Sequence, residues 1–122
     1  MRIARTAETP LEPMDTSTFT GPVRRRDLGR IDALDGTGLV VAFEAGVRNF
    51  WHRHPGGQVL YVLDGVARVG TRDGQIADLG AGDLVEAPPD EEHWHGASED
   101  GPMSHLALSS GETVWLEPVS DD

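Results

Sequence analysis

No cysteine occurs among the 122 residues. Disulfides and thiolate chemistry are therefore excluded, and any metal must be held by nitrogen and oxygen. Cationic side chains are scarce: ten Lys+Arg stand against 21 Asp+Glu, for a formal net charge of −11. A surface that acidic repels phosphate backbones and anionic lipid, which argues against nucleic-acid and membrane partners. No apolar run approaches the roughly 20 residues of a membrane span. The start of the chain, Met1 to Pro10, is polar and lacks a signal-peptide hydrophobic region, so a cytoplasmic location is the default expectation. Helical periodicity is missing too, since no ten-residue segment repeats convincingly at about 3.6 residues.

What remains is a chain of short apolar runs cut by Gly, Pro and Asp. The length sets one domain as the expectation, with a core that buries roughly two-thirds of the unfolded surface. Residues 1–20 carry little periodicity and read as an irregular arm, and the acidic residues 120–122 as a tail. Arg24-Arg25-Arg26 reads as a solvated strand edge, with a subunit salt bridge as the alternative. From residue 37 onward, Thr37–Glu44, Val47–His52, Gln58–Leu63, Val66–Thr71, Gln75–Asp78, Asp83–Ala87, His93–His95, Met103–Ser109 and Thr113–Glu117 read as strands. Asp64-Gly65, Asp73-Gly74, Gly80-Ala81-Gly82-Asp83 and Pro88-Pro89-Asp90 supply the turns. Many short antiparallel strands in one domain imply an all-β barrel or sandwich.

The histidines carry the chemistry. Strand side chains repeat every second residue, so His52 and His54 share a face, and two imidazoles on one face can share a metal ion. Pro55-Gly56-Gly57 lets the chain turn so that Gln58 can approach the same centre, and His93 completes a set of three imidazoles and one amide oxygen. A divalent first-row ion fits such donors: Mn, Fe, Co, Ni, Cu or Zn. His95 shares the parity of His93; it reads as a hydrogen-bonding neighbour of the ligands or a strand-end surface residue, with a place in the cavity or among the ligands as the alternative. Trp51 and Trp94 alternate away from the histidines and read as core or subunit packing, and Trp115 as packing also.

The frame around these residues resembles the two motifs of the cupin superfamily. Gly46, His52, His54, Gln58 and Gly65 match the first, with Gln58 in place of the usual glutamate. Gly82, Pro88 and His93 match the second, with Asp90 replacing a glycine and Ala97 an asparagine. The resemblance implies that residues 21–119 form a small antiparallel β-barrel of jelly-roll type with a metal inside. It also implies a homodimer or higher homo-oligomer, paired through an edge sheet and an exchanged strand near residues 19–28. The stretches Phe19–Arg24, His54–Gln58, His93–Ala97 and Met103–Ala107 are similar to the bacterial cupin hydroxynitrile lyases. That similarity implies manganese held by His52, His54, Gln58 and His93, with Fe, Ni, Co or Zn as alternatives. It implies a small cyanohydrin-type substrate and His105 as general base. Val41, Phe43, Ser109 and His95 are the candidates for substrate contact.

Gln58 has a physical consequence of its own. A neutral amide leaves the site one positive charge richer than a carboxylate would, which strengthens a Lewis acid and favours bound anions. The leading expectation is therefore a metal-dependent lyase that breaks a C–C bond. The alternatives are an Fe(II)-dependent dioxygenase and a non-catalytic small-molecule-binding cupin.

Overall fold

The computed structural model describes residues 1–120; Asp121 and Asp122, the end of the expected acidic tail, lie outside the described residues. Two antiparallel sheets make the fold. The strands are β1 (Glu12–Pro13), β2 (Val23–Ile31), β3 (Gly36–Phe43), β4 (His52–Arg53), β5 (Gln58–Asp64), β6 (Val66–Thr71), β7 (Ile76–Gly80), β8 (Leu84–Ala87), β9 (His93–Ala97), β10 (Met103–Ser110) and β11 (Val114–Trp115). One sheet has the order β1-β2-β3-β10-β5-β8 and the other β11-β4-β9-β6-β7. This is the expected all-β, jelly-roll-like barrel.

Side-chain alternation decides what lies between the sheets. On β3, Val41 and Phe43 are buried; on β5, Gln58, Leu60 and Val62; on β10, Met103, His105 and Ala107. Register sets His105 beside Val41 and Val62. The inward row of β5 thus runs from Val62 through Leu60 to Gln58, apolar at one end and polar at the other. At the apolar end Val23, Val41, Phe43, Val47, Val62, Ala67, Ala97 and Met103 form one core cluster. Gln58, with His93 against it, marks the other end, and His105 stands at the border with the apolar cluster. β9 is buried at every position from His93 to Ala97, so its outward-facing Trp94 needs cover of its own. Gly70 opposite leaves room for the indole, where a Cβ would clash, and Arg48 stacks over the ring at 5.1 Å.

Several elements differ from the sequence reading. β2 is a full strand of nine residues, where the sequence reading has Arg24-Arg25-Arg26 as a strand edge and a strand near residues 19–28; it runs on to Ile31. The expected strand Val47–His52 begins only at His52; Arg48 and Asn49 make single bridges, to Gly96 and Phe19. The break follows from the turn that closes with Val47 N–H donating to Glu44 O at 3.1 Å. Thr113–Glu117 contracts to Val114–Trp115, and the arm carries the short strand β1 against Arg24 and Arg25.

Two turns carry the motif frame. Gly65 has φ 76 and sits against the Pro102 backbone, where a Cβ would collide with the carbonyl oxygen. Asp90 stands where the family pattern has glycine, and it still adopts φ 65. Aspartate is among the few side chains that tolerate this left-handed region. Its N–H donates to His54 O at 2.9 Å, which ties the second motif to the first.

Candidate metal centre

β4 and β9 are antiparallel neighbours, and His52 faces His93 across them. Their ring centroids lie 4.4 Å apart, and His54 follows at 5.1 Å from His52 and 5.8 Å from His93. Gln58 enters from β5 on the opposite sheet. All four side chains are buried.

Hydrogen bonds fix which atoms face inward. His52 Nδ1–H donates to Phe50 O at 2.8 Å, and His93 Nδ1–H donates to Glu91 O at 2.9 Å. A carbonyl only accepts, so both protons sit on Nδ1 and both Nε2 atoms present lone pairs. His54 Nδ1 lies 3.2 Å from Thr113 Oγ1. Gln58 Nε2–H donates to Ser109 Oγ at 2.9 Å, which turns its oxygen inward. Gln58 Oε1 then faces His93 Nε2 at 2.9 Å. Two acceptors at that separation are relieved by a cation beside them, or by the flipped amide in which Gln58 donates to His93 Nε2 and accepts from the Ser109 hydroxyl. Among the described residues, His52 Nε2 and His54 Nε2 are buried with no hydrogen-bond partner. Buried polar atoms are normally satisfied, so these lone pairs suit a bound cation. The donor set therefore fits a divalent metal.

A second grouping shares two of these residues. His52, His93 and His95 each offer a ring nitrogen, all within 4.8 Å of one another, so this buried triad could hold a metal ion. His95 is already engaged, however. Asn49 Oδ1 accepts from the His95 backbone N–H at 2.9 Å, which leaves the Asn49 amide nitrogen 3.2 Å from His95 Nε2. His95 Nδ1 lies 3.1 Å from His105 Nε2. His54 Nε2, by contrast, makes no hydrogen bond of good geometry among the described residues, though the Gln58 side chain is near enough to raise its pKa. The structure thus brings together His52, His54, Gln58 and His93, with His95 and His105 paired beside them.

Burial keeps every imidazole neutral. It pushes His52 down to about 3, with the neighbouring His93 adding to the effect. Burial, again with His93, lowers His54 to about 4, and burial alone lowers His105 to about 4. His93 and His95 are lowered as well, mainly by burial. Neutral imidazole is the form that binds a metal or accepts a proton.

A cavity of about 120 Å³ is lined by His52, His54 and Gln58, though not by His93, and it also touches Val41, Phe43, His95, His105 and Ser109, the candidates for substrate contact and catalysis. A wider groove of about 330 Å³ beside Pro88 and Leu108 reaches Gln58 and Ser109 but no histidine, so size alone does not locate the chemistry. Sequence reasoning missed three residues here. Asn49 is 2% exposed and orients His95; its only signal was an amide inside an apparently apolar run. Thr113 meets His54. Trp115, expected to serve packing alone, lines the cavity with its ring 4.8 Å from His52 and 5.9 Å from Phe19. Trp51 does face away from the histidines, and Arg72 stacks on it at 4.0 Å.

Known proteins share this architecture. The cupin domain family matches residues 39–109. An (R)-mandelonitrile lyase of Granulicella tundricola is 39% identical over 109 residues, covering 85% of this chain and 83% of that one. A cupin-like protein of Thermotoga maritima superposes with a TM-score of 0.85 at 34% identity, covering 92% of this chain and 90% of the other. A polyketide cyclase of Streptomyces resistomycificus matches at TM-score 0.76 and 18% identity over 100% of this chain and 89% of its own, which speaks to fold alone. With its two sheets, its inward histidines and these relatives, the chain belongs to the cupin family.

Proposed function

We propose that the protein is a manganese-dependent lyase that cleaves a cyanohydrin-type C–C bond, acting as a homodimer or higher homo-oligomer. The observation that carries the reading is the buried cluster of His52, His54, His93 and His95 around Gln58, in which His93 Nε2 lies 2.9 Å from Gln58 Oε1 and His95 Nδ1 lies 3.1 Å from His105 Nε2. The 39% identical mandelonitrile lyase supports it. A divalent cation bound there supplies Lewis acidity that stabilises negative charge on a substrate oxygen. His54 rather than His95 is the third imidazole of the set, because its Nε2 makes no hydrogen bond of good geometry among the described residues.

His105 takes the substrate hydroxyl proton. It is neutral and buried, and it lines the cavity beside His52 and His54. His95, 3.1 Å from His105 Nε2, shares the charge that develops. As the C–C bond breaks, its electron pair leaves with cyanide and the former hydroxyl carbon becomes an aldehyde. The histidinium then returns its proton to cyanide, so atoms and charge balance. Its low pKa makes that return favourable. Val41, Phe43 and Ser109 line the space left for the rest of the substrate.

The test is benzaldehyde release from mandelonitrile by manganese-loaded protein, with His52→Ala and His105→Ala beside it. Release by the wild type, loss with both variants, and retained metal in His105→Ala is the expected pattern. Absence of release from a verified metal-loaded sample refutes the lyase reading and leaves the donor set in place.

A further inference from the structure

The strand that carries His52 is thinly held. β4 has two residues; it meets β9 at the single pair His52↔His93 and β11 at two pairs. Such short ladders fix a strand poorly, yet the spacing of His52 and His93 decides whether their lone pairs meet. Alternation sends the neighbours Trp51 and Arg53 to the outer face. On that face Arg72, just past the Thr71↔His93 pair, reaches three elements. Its guanidinium stacks on Trp51, the residue before His52, at 4.0 Å. Its Nε–H donates to Glu92, the residue before His93, at 2.8 Å. Its two terminal nitrogens donate to Glu117, at 3.3 and 2.8 Å, beyond the strand whose Trp115 packs on His52. Trp51 and the Leu116–Glu117 segment also exchange backbone bonds of 3.0 and 2.8 Å. A second tie, Arg53 to Asp90 at 2.6 Å, joins the same strand to the turn before His93.

We propose that Arg72 is a positioning residue for the metal centre: from outside the sheet it locks the His52 and His93 strands at the separation their ligand atoms need. The inference rests on the metal reading of the site, not on the lyase reaction. Arginine suits the task because one planar group can stack on an indole and fork to two carboxylates at once. Isolated surface ion pairs hold little, but a network that shares one guanidinium restrains three elements together.

A control is built into the same sheet. Arg68 makes a two-pronged pair with Asp78 that is as exposed as the Arg72 pairs; it lies opposite Gly96 of β9, but its tie joins β6 to β7 and not the His52 strand to the His93 strand. Manganese(II) affinity is measured by chelator competition on the full chain for wild type, Arg72→Ala, Glu92→Gln and Arg68→Ala, with folding checked by circular dichroism. Loss of a group that orients a ligand directly lowers metal affinity about 10- to 100-fold, so one step further out the expected loss for Arg72→Ala is about 3- to 10-fold. Glu92→Gln, which removes the charge but keeps an oxygen acceptor and so weakens only the tie to the His93 strand, is expected to lose about 2- to 3-fold, and Arg68→Ala to stay within twofold of wild type. Equal affinities in Arg72→Ala and Arg68→Ala, or no change in a folded Glu92→Gln, overturn the proposal. A wild type that binds no manganese overturns the metal reading with it, whereas manganese binding without mandelonitrile cleavage overturns only the lyase.

Discussion

Acid should unfold the metal-free protein unusually early, and the histidines set the window. Each is buried and neutral when folded but titrates near 6.5 when unfolded. In that range the unfolded chain binds more protons, so stability falls as pH drops below about 6.5 and keeps falling towards the folded values. For His52, His54 and His105, whose folded values lie at about 3 to 4, the loss is independent of folded-state protonation down to pH 5 or so. Each such group costs about 1.4 kcal/mol by pH 5.5 relative to pH 8, or about 4 kcal/mol together. That is a large share of the roughly 5–15 kcal/mol that holds a domain folded. The paired acids do not confuse the window. Glu117 and Asp78 are lowered by Arg72 and Arg68 from values already below 5, so their stabilising effect is lost only in more acidic solution. Urea unfolding of chelator-treated protein at pH 8.0 and 5.5 measures the difference. A change under about 1 kcal/mol would mean that the imidazoles are not buried neutral as a group, and the argument for a preformed ligand set would fail.

Two other perturbations probe the site itself. Gln58→Glu adds a negative charge beside three imidazoles; manganese should bind more tightly while kcat/KM for cyanohydrin cleavage drops at least about tenfold, since the weaker Lewis acid stabilises an oxyanion less. Equal or higher turnover would show that the neutral amide is not what the reaction uses. Asn49→Ala leaves the buried His95 N–H and ring without their partner, at a cost of about 1–3 kcal/mol in stability by thermal or urea unfolding. Manganese affinity should remain near that of wild type if His95 stands outside the ligand set, and fall with stability if His95 is a ligand.

Local rules carried much of this molecule, and their reach is visible residue by residue. The parity of His52 and His54 was legible because strand geometry repeats every two residues, whatever the tertiary fold. The turns were legible because Gly65 and Gly82 occupy left-handed positions that few residues tolerate. Asp90 shows the limit of reading by residue type: it departs from glycine in the motif, yet keeps the same backbone conformation and adds a tie to Arg53. What stayed hidden was always a contact between distant residues. Asn49 and His95 are 46 positions apart, and Arg72 and Glu117 are 45 apart. No period or spacing announces such pairs, because each side chain taken alone is an ordinary polar residue in a strand or turn. The candidate metal-binding side chains could be named from local pattern, but the groups that orient and restrain them could not. Function depends on both, since an imidazole is useful to a metal only when something else decides which nitrogen carries the proton and where the ring stands.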